Sequence, residues 1–315
     1  MSPRLVADIG GTNTRIALFD SHLAEFRHLV TYTNRDYPHF EDVIATWLAS
    51  IPETAPDRAC VAIAALLARD QVVMTNMEWS FSRSAIARRF GFKRIRWIND
   101  FEANAIALPH LTGNDSELLY RGNSPEKSKL AVIGPGTGLG GATLEPFNHL
   151  WHACACEPGH MSISPANDLE IELFRELLRR RSHIYAELLV SGPGLLLLYK
   201  TLGDITDTTA DGGSAAEISQ RALGREDETS VLALNTFSAL LGSVSGDFAL
   251  ASGAYGGLYL AGGIVPTMIP FLRASDFHRR FCAKGVMLDR MNEIPVYAIT
   301  TTQPGLIGAA HAAID

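Results

Sequence analysis

Arg94-Ile95-Arg96-Trp97-Ile98-Asn99-Asp100-Phe101-Glu102-Ala103-Asn104-Ala105 is the stretch around which the chain is organised. Its first five residues are β-branched or aromatic in alternation, which predicts a strand over 94–98. From Phe101 to Leu108 the residues are good helix formers. A carboxylate at the carboxyl end of a strand, just ahead of a helix, sits where open α/β sheets place ligands and catalysts. Asp100 is therefore a candidate to take a proton from a bound hydroxyl. The same place suits a helix N-cap, a duty that aspartate also performs well.

Outward from this stretch, the N-terminal part reads as alternating strands and helices. Leu5 to Ile9 is a buried-type strand, Gly10-Gly11-Thr12-Asn13 a tight turn and Thr14 to Phe19 a second strand. Phe26 to Thr33 predicts a third strand and Ala59 to Ala64 a fourth. The spacing of Phe40, Val43, Ile44, Trp47 and Leu48 predicts an amphipathic helix over 40–50. Gln71 to Thr75 predicts a small strand and Ser84 to Phe90 a helix. The order β-β-β-α-β-α-β-α describes a mixed α/β layer rather than regular βαβ units.

The polar stretch Thr112 to Lys129 marks a boundary. Beyond it, the strand Leu130 to Ile133, the Gly-rich turn Gly134 to Gly141 and the strand Ala142 to Leu144 repeat the logic of the first hairpin. Leu169 to Arg181 predicts an amphipathic helix, Asp204 to Ser214 a mobile Gly-rich loop, and Ser230 to Ser252 a long buried helix. Gly256 to Gly263 is a third strand–glycine element. Pro295 to Thr300 predicts a last strand, and Gly305 to Ile314 a small-residue helix returning to the first half.

Composition narrows the classes. In 315 residues, 47 % are hydrophobic, enough for sizeable cores in about two domains. Lys and Arg number 27 against 34 Asp and Glu, a net charge of -7 that argues against nucleic-acid binding and a polybasic membrane surface. No run of about 18 apolar residues predicts a membrane span. The N-terminus enters a strand without a signal-peptide core, and Cys60, Cys154, Cys156 and Cys282 make no disulfide framework. Both features point to the cytoplasm.

Glycine-rich turns bring backbone N–H groups close to an anion, so Gly10 to Asn13 and Gly134 to Gly140 suit phosphate oxygens. Asp8 could orient Mg²⁺ through its water shell. Neither loop is a Walker A, because no Lys-Ser or Lys-Thr follows. The second loop leads into a strand, which disfavours a Rossmann fingerprint. Glu157-Pro158-Gly159-His160 can turn two polar side chains toward one ligand such as adjacent sugar hydroxyls, with Glu187 a further acceptor. His160 alone also fits a satisfied core histidine. His152, Cys154, Cys156 and His160 invite a zinc reading, but although the first three share one strand face there is no Cys-x-x-Cys pair, so buried thiols are expected there rather than zinc.

Taken together, Asp8 to Asn13, Asn99-Asp100, Gly134 to Gly140, Glu157 to His160 and Gly262-Gly263 resemble the bacterial glucokinase family, the ATP-dependent hexokinase branch of the actin/Hsp70-like sugar kinases. The likeness runs from Val6 to Gly308. Met161 to His183 contains no cysteine, as in the zinc-free branch. The resemblance implies an α/β, two-domain actin-like ATPase (ribonuclease H-like) fold with mixed sheets and a ligand cleft between the domains. It implies a small domain over 1–110, with the C-terminal helix 301–315 packing back on it, and a large domain over 111–300.

The resemblance implies ATP and Mg²⁺ as cofactors, glucose as the substrate, a homodimer, and no nucleic-acid or membrane partner. Asp100 would be the catalytic base for the sugar 6-hydroxyl. Asn99, Asp100, Glu157, His160 and Glu187 would bind the sugar. Asp8 would be linked to Mg²⁺ through water. Gly10, Gly11, Thr12, Asn13, Gly136, Thr137 and Gly138 would hold phosphates, and Gly262 and Gly263 the adenosine. Three departures stand out: Pro158 and Pro135 replace small non-proline residues, and Ala64 to Asp70 lacks the usual proline and glycine. A kinase for another hexose and a silent sugar-binding regulator are the alternatives.

Overall fold

The alternation in the first strands buries side chains on both faces of one sheet, and this sets the architecture. In the computed structural model, which describes residues 3–65, 67–74, 77–125, 127–208, 210 and 212–314, β1 (Arg4–Ile9) pairs antiparallel with β2 (Asn13–Asp20). β3 (Glu25–Thr33) extends the hairpin. β4 (Arg58–Ile63) and β7 (Arg94–Asn99) add in parallel, giving the order β3-β2-β1-β4-β7. Leu5, Ala7 and Ile9 face Trp47 and Phe40 of α1 (Phe40–Ser50) and Ile86 of α2 (Arg83–Phe90). Val6 and its neighbours Cys60 and Ala62 face Ala103 of α3 (Asp100–Ala107) and Leu306 of α12 (Pro304–His311). Two apolar faces call for a helical layer on each side. β5 (Gln71–Val73) and β6 (Ser80–Ser82) form a separate small ribbon.

The chain divides into two compact units: residues 1–111 with 303–315, and residues 112–302. In the second unit β9 (Leu130–Pro135), β10 (Leu139–Phe147) and β11 (Leu150–Cys156) form an antiparallel meander. β12 (Gly257–Leu260) and β13 (Val296–Ile299) then add in parallel. The order β11-β10-β9-β12-β13 repeats the order and strand sense of the first sheet, so one topology occurs twice. β8 (Ser116–Tyr120) adds a sixth, antiparallel edge strand beside β13.

The helices of the second unit are α4 (Asp168–Leu178), α5 (Ala186–Leu189), α6 (Gly192–Thr206), α7 (Ala215–Gly224), α8 (Glu228–Ser252), α9 (Val265–Ala274), α10 (Phe277–Cys282) and α11 (Leu288–Asn292). α8 is long and apolar enough to cross a membrane, but 72 % of its apolar window is buried inside the protein. Its apolarity is that of a core helix. A buried bidentate pair between Arg280 and Glu170 ties α10 to the first turn of α4.

The structure differs from the sequence reading in several places, among them the helices α6, α7, α9, α10 and α11, which the sequence reading does not contain. β8 lies inside the polar boundary stretch, where an edge strand needs only one apolar face. Asp204 to Thr206 closes α6, and Ser214 caps α7 with a capping box through Glu217, so the loop is shorter than expected. The glycine turn of the second hairpin is only Gly136 to Gly138, because Gly134, Pro135 and Leu139 to Gly141 belong to the strands. Cys154 is exposed and Cys156 half-buried, because β11 is an edge strand. Thr75, the end of the expected small strand, and Leu66 in the Ala64 to Asp70 stretch lie outside the described residues.

Candidate active site

β7 ends on Asn99, and Asn99, not Asp100, is the N-cap of α3. Its Oδ1 accepts from the N–H groups of Phe101 at 2.9 Å and Glu102 at 3.2 Å. Asp100 is the first helical residue, so its carboxylate is not needed as the cap. α3 is held by α12 at a close approach, where Gly308 lies against the Ala103 carbonyl and any side chain would collide with it.

Asp8 stands one residue before the end of β1, with a side chain only 15 % exposed. Burial pushes its carboxyl up to about 6. Arg15, at 3.9 Å, opposes that rise, and the negative charge of Asp100 adds to it. The two carboxylates therefore sense one another within the first unit. Gly305, in the first turn of α12, packs on the Asp8 carboxylate where a Cβ would not fit.

The first glycine turn is pinned from inside by a residue that the sequence analysis missed. Asn34, only 4 % exposed, donates from Nδ2 to the Gly10 carbonyl at 2.8 Å and accepts from the Thr14 hydroxyl at 2.8 Å. Its own N–H donates to the Thr12 carbonyl at 2.9 Å. The Gly10 N–H closes the turn on the Asn13 carbonyl. Among the described residues, the amides of Gly11 and Thr12 have no acceptor, so both remain for an anion. A lone asparagine after a strand gives no signal in sequence; only the folded turn reveals it.

The second glycine turn has the same form. Gly136 N–H donates to the Gly138 carbonyl at 2.8 Å, while the amides of Thr137 and Gly138 have no acceptor among the described residues. Glu187, in the first turn of α5, accepts from Leu139 N–H at 2.8 Å and leaves no room for a side chain at Gly138. One oxygen of Glu187 therefore braces this turn. Gly262 has φ +95, and a Cβ there would strike the Pro135 carbonyl. Pro135 ends a central strand, and its missing N–H falls at that end of the ladder.

Beside this turn lies a cavity of about 830 Å³. Gly136 and Thr137 form one edge and Gly263 and Ile264 another. Pro193 and Leu196 of α6 and Ala215, Ser219 and Leu223 along one face of α7 supply the walls. The glycines of this cavity are legible in the sequence, but its α6 and α7 walls are not, because α6 opens on Gly-Pro-Gly and α7 emerges from a polar Gly- and Ser-rich stretch.

Glu157 precedes, and His160 ends, a 3₁₀ turn over Pro158–His160. Pro158 occupies its first position, where a fixed φ and a missing N–H cost nothing. Its buried ring lies against Gly141. Glu157 and His160 are both exposed, which rules out the core-histidine reading, and Tyr185 lies 5.7 Å from the imidazole. Among the described residues no group of three or more His, Cys, Asp or Glu side chains is gathered as a metal-ligand cluster, and His152, Cys154, Cys156 and His160 are not brought together as one.

Two sheets of one topology, each opening on a strand–glycine turn–strand hairpin, define an actin-like ATPase fold of the sugar-kinase class. A sequence profile described as glucokinase matches residues 5–315. The chain belongs to the glucokinase family. It is 42 % identical over 312 residues to a glucokinase of Chromobacterium violaceum, covering 99 % of this chain and 89 % of that one. The crystal structure of a glucokinase from an Antarctic psychrotroph superposes with a TM-score of 0.89 at 39 % identity, covering 99 % and 98 % of the two chains. A ROK family glucokinase from Streptomyces griseus, solved with glucose and AMPPNP, shares the fold with a TM-score of 0.64 at 19 % identity, covering 98 % of each chain.

Proposed function

We propose that this chain transfers the γ-phosphoryl group of ATP to the 6-hydroxyl of glucose, in the cytoplasm, at the entry to glycolysis. The observation that carries the reading is the carboxylate of Asp100, the first residue of α3 after the Asn99 cap, at a strand end where its charge is felt by Asp8. Family membership supplies the substrate class.

Phosphoryl transfer needs mainly positioning and charge stabilisation. Asp100 accepts the hydroxyl proton as the sugar oxygen attacks phosphorus. The free amides of Gly11, Thr12, Thr137 and Gly138 bind phosphate oxygens, where negative charge redistributes during transfer. Gly262 and Gly263 border the adenosine. Asn99 keeps its amide N–H₂ for a sugar hydroxyl while its oxygen caps α3. Glu157, His160 and the second oxygen of Glu187 take the other hydroxyls.

The residues present suit Mg²⁺. One or two carboxylates with substrate phosphates and water are its usual company, and the raised Asp8 carboxyl is a buried acid that a cation would compensate. Asp8 would hold the ion through water. When bound, the ion neutralises phosphate charge.

The test is ADP release with Mg-ATP and a panel of hexoses, glucose first. Turnover that requires glucose is expected. Turnover on another hexose alone would move the substrate. No turnover on any sugar, with glucose still bound, would leave a sugar sensor.

A further inference from the structure

The cavity beside the second glycine turn is lined entirely by uncharged residues. Its polar side chains are Thr137, Ser219, Gln220 and Thr267. Thr137 belongs to the phosphate turn, and the Thr267 hydroxyl donates to the Ile264 carbonyl at 2.8 Å. Ser219 is different. It lies in α7, is 7 % exposed, and has no hydrogen-bond partner among the described residues. Serines inside helices commonly donate to the carbonyl four residues back, as Ser238 does to Leu234 in α8. The Ser219 oxygen is not among the buried side-chain atoms that lack a partner, so the hydroxyl opens onto the cavity and is available there to a ligand. Here it sits on a cavity wall between Ala215 and Leu223, with Gln220 next to it at the exposed rim.

We propose that Ser219 is the residue that reads the nucleobase of the phosphoryl donor, its hydroxyl completing a hydrogen bond to the purine edge and thereby favouring adenine. This rests on the reading of the cavity as the nucleotide site. The apolar walls of Pro193, Leu196 and Leu223 accept the faces of a purine without discrimination. The edge must then be read by neutral groups. A hydroxyl with a neighbouring carboxamide offers donors and acceptors one at a time, which suits the mixed donor and acceptor edge of adenine. Guanine presents adjacent N1–H and N2–H₂ donors, and no carboxylate lines the cavity to accept both. Leaving one unpaired penalises GTP.

The experiment is Ser219→Ala in the full chain. Because Ser219 has no partner within the protein, removing its hydroxyl leaves the fold intact, and Tm is expected unchanged or slightly raised, since Ala is the better helix former. The KM for ATP should rise roughly 3- to 10-fold, the worth of one neutral hydrogen bond. The KM for glucose should stay within about twofold, and the preference for ATP over GTP should shrink by the same factor as the ATP loss. Calorimetric binding of Mg-ADP to both proteins gives the same comparison without turnover.

Equal Mg-ADP affinity and equal KM for ATP in wild type and variant would overturn the role of Ser219 while leaving the kinase reading intact. A fall in Tm with the loss would overturn it too, by making the hydroxyl structural. Wild-type Mg-ADP binding that weakens in the variant, without sugar-dependent turnover in either, would support the base-reading role and sink the kinase reading. Absence of any nucleotide binding by wild type would overturn both.

Discussion

Asn99 and Asp100 are neighbours, and by residue type either could cap a helix. Asparagine caps α3 through its side-chain oxygen, and the aspartate one position later is not needed as the cap. Substitution should separate capping from catalysis. Asp100→Asn keeps shape and cap but removes the proton acceptor, so kcat should fall about 10²- to 10⁴-fold with little change in glucose binding. Near-native turnover would remove Asp100 as the base. What the sequence could show at this scale was the position of the carboxylate. It could not show which residue caps, because Asn and Asp serve equally well. Nor could it show that Asp8 is buried enough, and close enough to Asp100, for its carboxyl to rise to about 6. Burial is the main cause of that shift, and it comes from segments far apart in sequence packing around Asp8.

At the scale of elements, the two glycine turns were legible because glycine between two apolar runs leaves few other readings. Their bracing was not. The first is tied down by Asn34 from the end of β3, the second by Glu187 from α5. Asn34→Ala would strip partners from the half-buried Gly10 carbonyl and the buried Thr14 hydroxyl. The expected cost is about 2–4 kcal/mol in urea unfolding, from one or two orphaned polar groups, together with a raised KM for ATP as the turn loosens. A stability loss with unchanged KM would show that the turn does not need this anchor for phosphate. The proline at 158 is an element-scale matter as well. In sequence it looked like a conflict, yet it opens a 3₁₀ turn, where its geometry is the one required.

Over the whole molecule, the last helix completes the first unit. Arg4, Arg58 and Arg96, from β1, β4 and β7, donate to the carbonyls of Ala312, Ile314 and Ala313. His311 stacks on His110 at 3.6 Å between ring centroids and lies near Phe19 and Arg4. Burial, then the charges of His110 and Arg4, lower His311 to about 4, and burial also lowers His110. A histidine depressed in the folded state binds its proton more readily when unfolded. Its contribution to stability is therefore complete above about pH 6.5 and is lost as pH falls toward 4. His311→Phe, which keeps a stacking ring but cannot be protonated, should flatten the dependence of Tm on pH over that range and raise Tm at pH 5. A parallel pH profile in wild type and variant would place the acid sensitivity elsewhere. By itself, the sequence determined the strands, the amphipathic α1, the two glycine hairpins and the Asp100 strand end, because each is written in neighbours a few positions apart. Only the tertiary structure decided the repeated sheet order, the Asn34 anchor, the brace from Glu187, the walls around Ser219 and the state of Asp8. Each of these is a meeting of distant segments, set by burial and by the partners that burial demands.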